Sequence, residues 1–465
     1  MEARPSRKTL LLAGLVLLGA ILRMWNLGAE SLWQDESWTW GLIQGNPRDL
    51  IHRLIHFDAH PPFYFLLVQA WSVFGMSDTW IRLLSAVFGV ASLPAMNRLV
   101  SRMGGSTAGL VATALLTVSP YHVYYSREAR SYALLFLLCI VSLDLLLDLL
   151  ASPSRKKWIA FAVVTTLLPL THYMGVFFIA AEVAAVGLLH RERPGFLKEF
   201  ILASAGAFAL FLPWLPTAFL HGTTVGAGFW LSFPTLSGLT FSMCSLVVSP
   251  FFMGNLGYWL AAGFYGLALG SVRRPREIAL AAVLILPPAG ELLVSLQRPL
   301  FYTQTFQYIL IPLFALCAIG LARLPGPRCI MALALLLAAM IPGLVRTETL
   351  RVKEDWRGAV AWIDASIGAG DRVVVQPGFS GIGIERYAGT SKWMGQVRLV
   401  DGGDMFHQGV PRSVLREELR TIPGDVWLIF RYGQDEGWFE SLGTEFQRID
   451  NFSSRGVDAH RFRRK

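Results

Sequence analysis

Asp35 and Glu36 stand side by side in SLWQDESWTW, residues 31 to 40, an acidic pair among three tryptophans. A carboxylate near an apolar wall gains affinity for protons and can serve as a general base. Arg127, Glu128, Arg130 and Tyr132 lie in SPYHVYYSREARSYAL, His172 in THYMG, and Arg298, Gln307 and Tyr308 in LQRPLFYTQTFQY, while His60 opens HPPFYF. Guanidinium forks bind phosphate in a bidentate manner and stabilise it as it leaves. Acid groups and guanidinium groups gathered at one membrane face are what attack on a lipid-linked phosphosugar requires. Each piece also has a local reading. Acidic residues favour helix starts, Arg127, Glu128 and Arg130 can form an interfacial ion cluster, His60 can be a turn residue, and His172 an interfacial histidine. An aromatic belt accounts for most of the Trp and Tyr.

The elements that must hold these groups are membrane helices. The chain has 465 residues, 54% hydrophobic and 16% charged, with a mean hydropathy of +0.47, which is too apolar for an ordinary water-soluble protein. Lys and Arg concentrate in some of the short loops: Arg4, Arg7 and Lys8, then Arg98 and Arg102, SRKK at 154–157, HRERPG at 190–195, RRPR at 273–276, and Arg323 with Arg328. The positive-inside rule makes these loops cytoplasmic and explains the net charge of +9 without nucleic acid. Consistent alternation then gives eleven crossings, at 9–24, 80–100, 106–121, 131–150, 158–171, 174–189, 200–216, 255–271, 277–296, 308–322 and 329–345. The amino terminus is inside and the carboxyl terminus outside. The first segment could be a signal peptide, but no small-residue cleavage site follows it. HPPFYFLLVQAWSVFG, 60–75, would invert every later loop if it crossed, so it is expected along the outer face within an outer loop at 25–79. The stretch 217–254 is placed outside in the same way.

After Val345 the composition changes. RTETLRVKEDWRGAVAWIDASIGAGDRVVVQP reads as a charged linker, an amphipathic helix from Trp356, a turn and a strand, and GDVWLIF at 424–430 as a second strand. The expected organisation is a transmembrane domain at 1–345 and a small α/β soluble domain at 346–465 on the outer face. NFS at 451–453 fits a glycosylation sequon by a short pattern only. The four cysteines, Cys139, Cys244, Cys317 and Cys329, lack paired spacing and read as buried hydrophobes. No GxxxxGK[ST] or strand-borne GxGxxG appears, so activation by nucleotide is not the simplest route.

The carboxylate pair, HPPFYFLLVQAW, SPYHVYYSREARSYAL, THYMG and KEDWRGAVAWI together resemble the bacterial branch of the protein O-mannosyltransferase superfamily, the C-type membrane glycosyltransferases that include the aminoarabinose transferase of lipid A. The ordered set runs from about residue 10 to 365. The resemblance implies an all-α polytopic membrane protein with the C-type glycosyltransferase fold, in the inner or plasma membrane with its active site outside. It implies a polyprenyl-phosphate-linked sugar donor and inverting transfer to a hydroxyl-bearing protein, lipid or glycan. By position Asp35 is the catalytic carboxylate with Glu36 beside it, His60 lines the site's edge, Glu128 falls where relatives place a further acidic residue, and Gln307-Tyr308 stands at the donor-phosphate dipeptide. From their place on the outer segments Tyr132 and His172 are expected to line the site and Arg127, Arg130 and Arg298 to serve the phosphate. Relatives often carry Arg-Tyr where this chain has Gln307-Tyr308, and Gln offers a neutral donor in place of a charged fork. Some relatives hold a divalent metal and others act without one; no metal ligand is assigned here. A transporter of lipid-linked saccharides and a non-catalytic scaffold are the alternatives. The first should carry broken, repeated helices and mid-bilayer polar groups, and neither a repeat nor such a distribution is seen.

Overall fold

The computed structural model describes residues 6–225, 233–401, 404–405, 407–433, 437–443 and 445–465. They fall into two compact units, one of Met1–Trp25, Asp58–Trp71 and Arg82–Leu350, the other of Asn26–Phe57, Ser72–Ile81 and Arg351–Lys465. The outer loop at 25–79 is thus divided between the two.

The first unit is helical. The eleven segments expected to cross lie mainly on helices, from Arg7–Met24 to Gly326–Thr349, but 80–100 and 106–121 share Asp78–Thr117, the second running on into Pro120–Ser126, and 200–216 crosses a 3-10 turn at Leu212–Trp214. Among the described residues, six helices are long and apolar enough to cross a membrane by themselves. The others fall short for local reasons: Arg7–Met24 carries Arg7, Lys8 and Arg23, and Gly175–Leu189 has only 15 residues. Thr303–Ala322 is 89% buried inside the protein, whereas Phe196–Thr223 and Gly326–Thr349 are 17% and 22% buried. The first is therefore central. The other two present apolar side chains outward on most of their surface, as helices do when the surrounding solvent is lipid. Gly105 breaks the helix Asp78–Thr117 with φ of 82° and ψ of 171°, a backbone that only glycine adopts without strain. Phe63–Ser72 has 10 residues, or about 15 Å of helix, half the hydrocarbon thickness. In the stretch 217–254, Leu215–Val225 and Leu236–Val248 are helices, while 226–232 lies outside the described residues.

The second unit holds a five-stranded sheet. Its strands are β1 (Arg372–Gln376), β2 (Val397–Leu399), β3 (Val426–Arg431), β4 (Phe446–Ser454) and β5 (Val457–Arg464), in the order β2-β1-β3-β5-β4. β1 pairs in parallel with β2 and β3, and β5 pairs antiparallel with β3 and β4. RVVVQ and VWLIFR are nearly continuous apolar runs because helices cover both faces of the parallel part. Trp356, Val360, Ile363, Val373, Trp427 and Ile429 fill one face; Leu415, Leu419, Leu428, Phe430 and Trp438 fill the other. β4 is a largely exposed edge, too polar to be read as a strand from its sequence. The helix Trp356–Asp364 begins where the amphipathic pattern places it, with Asp355 accepting from Gly358 N at its start. The acidic helix Gln34–Leu42 packs against Gly381–Ala388, the helix that follows β1.

Candidate functional site

In the α/β unit, Asp35 and Glu36 occupy the first turn of the helix Gln34–Leu42. Their environments differ. Asp35 is half-buried, while Glu36 is fully buried and its Oε2 accepts from Lys353 Nζ at 3.0 Å and from the Trp33 amide at 3.4 Å. Glu36 thereby serves the helix start, as acidic residues at this position do. Two other amides of the loop are also held: Leu32 N donates to Tyr387 Oη at 2.6 Å and Gln34 N to Glu354 Oε2 at 2.8 Å. These donors have no acceptor within their own helix and need one from elsewhere.

In the helical unit, Asp58, His60 and Arg130 form a chain. Asp58 Oδ1 accepts from His60 Nδ1 at 2.6 Å and from the His60 amide at 2.7 Å, and Arg130 Nη2 lies 2.9 Å from His60 Nε2. A guanidinium can only donate, so Nε2 is the acceptor and the imidazole proton sits on Nδ1. Burial alone would raise the Asp58 carboxyl, but the His60 imidazole and amide beside it and the Arg130 charge hold it at about 2. His172 packs edge-on to His60 at 5.9 Å between ring centres and lies equally far from Tyr132. Burial, followed by the neighbouring His60 and Arg130, lowers His172 to about 3. Arg130 itself is 4% exposed. Pro61 and Pro62 end the extended segment that delivers Asp58 and His60 and precede the helix Phe63–Ser72.

The remaining expected residues are distributed as follows. Glu128 is buried, and Tyr132 belongs to an aromatic cluster with Tyr125, whose hydroxyl reaches Gln304 Oε1 at 3.2 Å. Arg127 is not presented as an open fork: it donates to both carboxylate oxygens of Glu348 at 2.6 Å and to the Trp25 carbonyl at 2.9 Å. Arg298 donates to the Gly222 carbonyl at 2.6 Å. Gln307 is 1% exposed, with neither amide atom hydrogen-bonded among the described residues, and Tyr308 donates to the Met174 carbonyl at 3.3 Å. Asp58, Lys353 and Glu354 went unassigned from sequence. A carboxylate two residues before a histidine that opens HPP is a local signal for Asp58. Lys353 and Glu354 lie in KEDW, whose partners are some 320 residues away and carry no such signal. No three His, Cys, Asp or Glu side chains gather as a metal-binding group among the described residues.

Residues 59–216 match the family model described as dolichyl-phosphate-mannose-protein mannosyltransferase. No curated protein matches the chain in sequence. Among solved structures, ArnT of Cupriavidus metallidurans in the apo state superposes with a TM-score of 0.71 at 12% identity, covering 98% of each chain. The same enzyme bound to undecaprenyl phosphate gives 0.66 at 13% identity, covering 97% of each. The archaeal oligosaccharyltransferase AglB of Archaeoglobus fulgidus, in complex with an inhibitory peptide and a dolichol-phosphate, gives 0.55 at 13% identity over 97% of this chain and 74% of that one. The shared fold extends over nearly the whole chain, through the helices and the sheet alike. The chain thus has the fold of these membrane glycosyltransferases, and within it residues 59–216 are similar to the dolichyl-phosphate-mannose-protein mannosyltransferase family.

Proposed function

We propose that this protein transfers a sugar from a polyprenyl-phosphate-linked donor to a hydroxyl on a protein, lipid or glycan acceptor, with inversion at the anomeric carbon. Asp35 acts as the general base on the acceptor hydroxyl. Arg130, held through His60 by Asp58, meets the donor phosphate and stabilises it as a leaving group, where charge-assisted donors are most effective. The reaction takes place at the outer face of the inner or plasma membrane. Eleven crossings put the amino terminus inside, and residues 346–465 form the extracytoplasmic domain. The observation that carries the reading is the difference between the two acids: Glu36 is buried against Lys353, while the neighbouring Asp35 is only half-buried, which supports Asp35 as the proton acceptor. Support for the donor class comes from the fold shared with ArnT bound to undecaprenyl phosphate.

The test is incubation of purified protein with labelled polyprenyl-phosphate hexose and an acceptor mixture, following release of the lipid phosphate. Asp35→Asn keeps the shape and removes the base, so the rate falls by about two to four orders of magnitude. Transfer by that variant at the unmodified rate would falsify the assignment of Asp35.

A further inference from the structure

Lys353 and Glu354, in the KEDW motif, take no part in the roles assigned above, yet both are buried in the α/β unit, at 7% and 0% exposed. Glu354 Oε2 accepts from Gln34 N and Trp356 Nε1, each at 2.8 Å, and Oε1 accepts from Arg431 Nε at 2.6 Å. Its carbonyl accepts from Ser31 Oγ at 2.5 Å. The Lys353 amide donates to Glu30 Oε1 at 3.1 Å, and its ammonium to Glu36 Oε2 at 3.0 Å. Contacts to Ser31, Gln34 and Glu36 bracket Asp35 on both sides.

Where these contacts lie in the sheet gives them meaning. In the order β2-β1-β3-β5-β4, the connection leaving β1 runs to β2 on one side and that leaving β3 runs to β4 on the other, which opens a crevice beyond the carboxyl ends of β1 and β3. Arg431 closes β3, and the carbonyl of Phe379, just past β1, accepts from Gln34 Nε2 at 2.9 Å. In open α/β sheets this crevice is where a ligand binds. Here the chain's own acidic loop occupies it.

We infer that Glu354 and Lys353 are positioning residues for Asp35, a conclusion that rests on Asp35 being the base. Glu354 fixes the backbone one residue before Asp35 by accepting the first free amide of its helix. Lys353 holds the carboxylate of Glu36, the residue that follows Asp35. The α/β domain thus fixes the backbone that carries the base.

The experiment uses the full-length protein in nanodiscs and compares Glu354→Gln, Glu354→Asp and the milder Tyr387→Phe, which removes the acceptor of Leu32 N together with one donor to Asp78. Misplacing a catalytic group by about 1 Å costs on the order of 10²-fold. Glu354→Gln is expected to lower kcat by about that factor with the donor KM within about twofold, and Glu354→Asp to recover part of the loss. Tyr387→Phe should lower kcat by about threefold to tenfold, since Asp78 keeps Arg357 and Arg386 and the loop loses one neutral hydrogen bond, at Leu32 N. Unchanged kcat in Glu354→Gln, or a loss confined to KM, overturns the inference. Hydrogen exchange gives an arm that does not depend on activity: the Gln34 amide should exchange at least about tenfold faster in Glu354→Gln, the equivalent of about 1.4 kcal/mol. If the unmodified protein releases no lipid phosphate, the proposed function fails. Unchanged exchange at Gln34 then also removes the structural basis of the positioning role. Should Glu354→Gln prove unfolded, kcat and Gln34 exchange in Glu354→Asp, which keeps the charge and shortens the reach to Gln34 N, decide by the same criteria.

Discussion

Fully buried charge is handled differently in the two units. In the α/β unit carboxylates meet cations: Glu354 faces Arg431, Asp78 faces Arg357 and Arg386, and Asp425 faces Arg461 and Arg463. In the helical unit Arg23 is 0% exposed and donates to the carbonyls of Gly19, Leu116 and Thr117 and to His122 Nδ1, with no carboxylate among its partners. Ion pairs return at the helix ends, as in Arg102 with Asp148 and Arg98 with Asp144. Burying a pair means stripping water from two ions, and burying one cation among neutral acceptors means stripping it from one. Where the surroundings are hydrocarbon the second arrangement is favoured, and where water is near the first is tolerated.

Breaking a pair should have the largest effect. Asp78 is 6% exposed and accepts from Arg357 Nη2 at 2.6 Å, Arg386 Nη2 at 2.7 Å and Tyr387 Oη at 2.6 Å. Asp78→Ala removes the one carboxylate shared by two guanidinium groups, leaving Arg386 the Met76 carbonyl and Arg357 the Gly28 carbonyl, and should destabilise the protein by about 3 kcal/mol. Chemical denaturation of the purified protein measures this. A change below about 1 kcal/mol would mean that the network behaves as a solvated surface pair.

Titration of the Asp58–His60–Arg130 chain tests the helical side of the comparison, with a smaller effect. Asp58 is held at about 2, below the usual carboxylate value of about 3.9. It therefore contributes about 2 kcal/mol that is fully present above about pH 4 and is lost as the pH falls through 2. His172, lowered to about 3, favours its neutral form. Its contribution is present above about pH 6.5 and is lost as the pH falls from there toward 3. Denaturation midpoints between pH 7 and 3 should decline in the unmodified protein and flatten in His172→Gln. The further decline below pH 4 should be absent in Asp58→Asn. Parallel curves for all three would assign the acid sensitivity to other groups.

How far these arrangements could be read from sequence depends on the distance over which each is encoded. Helices such as Tyr132–Ala151 are legible because apolar composition alone requires them in a membrane. β1 and β3 are legible because a strand covered on both faces is apolar throughout. β4 and β5 escaped because RIDNFSS and DAHRFRR are polar edge and near-edge sequences whose pairing depends on each other. Asp35, His60, Arg130 and His172 were all named, with Asp35 preferred to Glu36 by its position in the family pattern. The ion pair that occupies Glu36 was not legible, because its partner Lys353 is 317 residues away. Arg127 was read as a phosphate ligand because a guanidinium near Arg130 looks available until Glu348, 221 residues on, is seen to hold it.

Arg23 gives the smallest expected effect and the sharpest contrast. Arg23→Met removes a cation and its hydrogen bonds to the Leu116 and Thr117 carbonyls at the end of the helix Asp78–Thr117. Each buried acceptor left unsatisfied costs about 1–3 kcal/mol. Against this, no charge is left without a partner, and an ion no longer has to be desolvated. The net loss should be about 1–2 kcal/mol, well under that of Asp78→Ala, although Arg23 is the more deeply buried group. The same denaturation series decides the order. If Arg23→Met proved as damaging as Asp78→Ala, the single cation would be contributing to stability as much as a pair, and the distinction between the two units would fail. If it proved neutral, the carbonyls must find other donors once the guanidinium is gone. The comparison would then rest on how readily each unit relaxes, and charge pairing would no longer explain it.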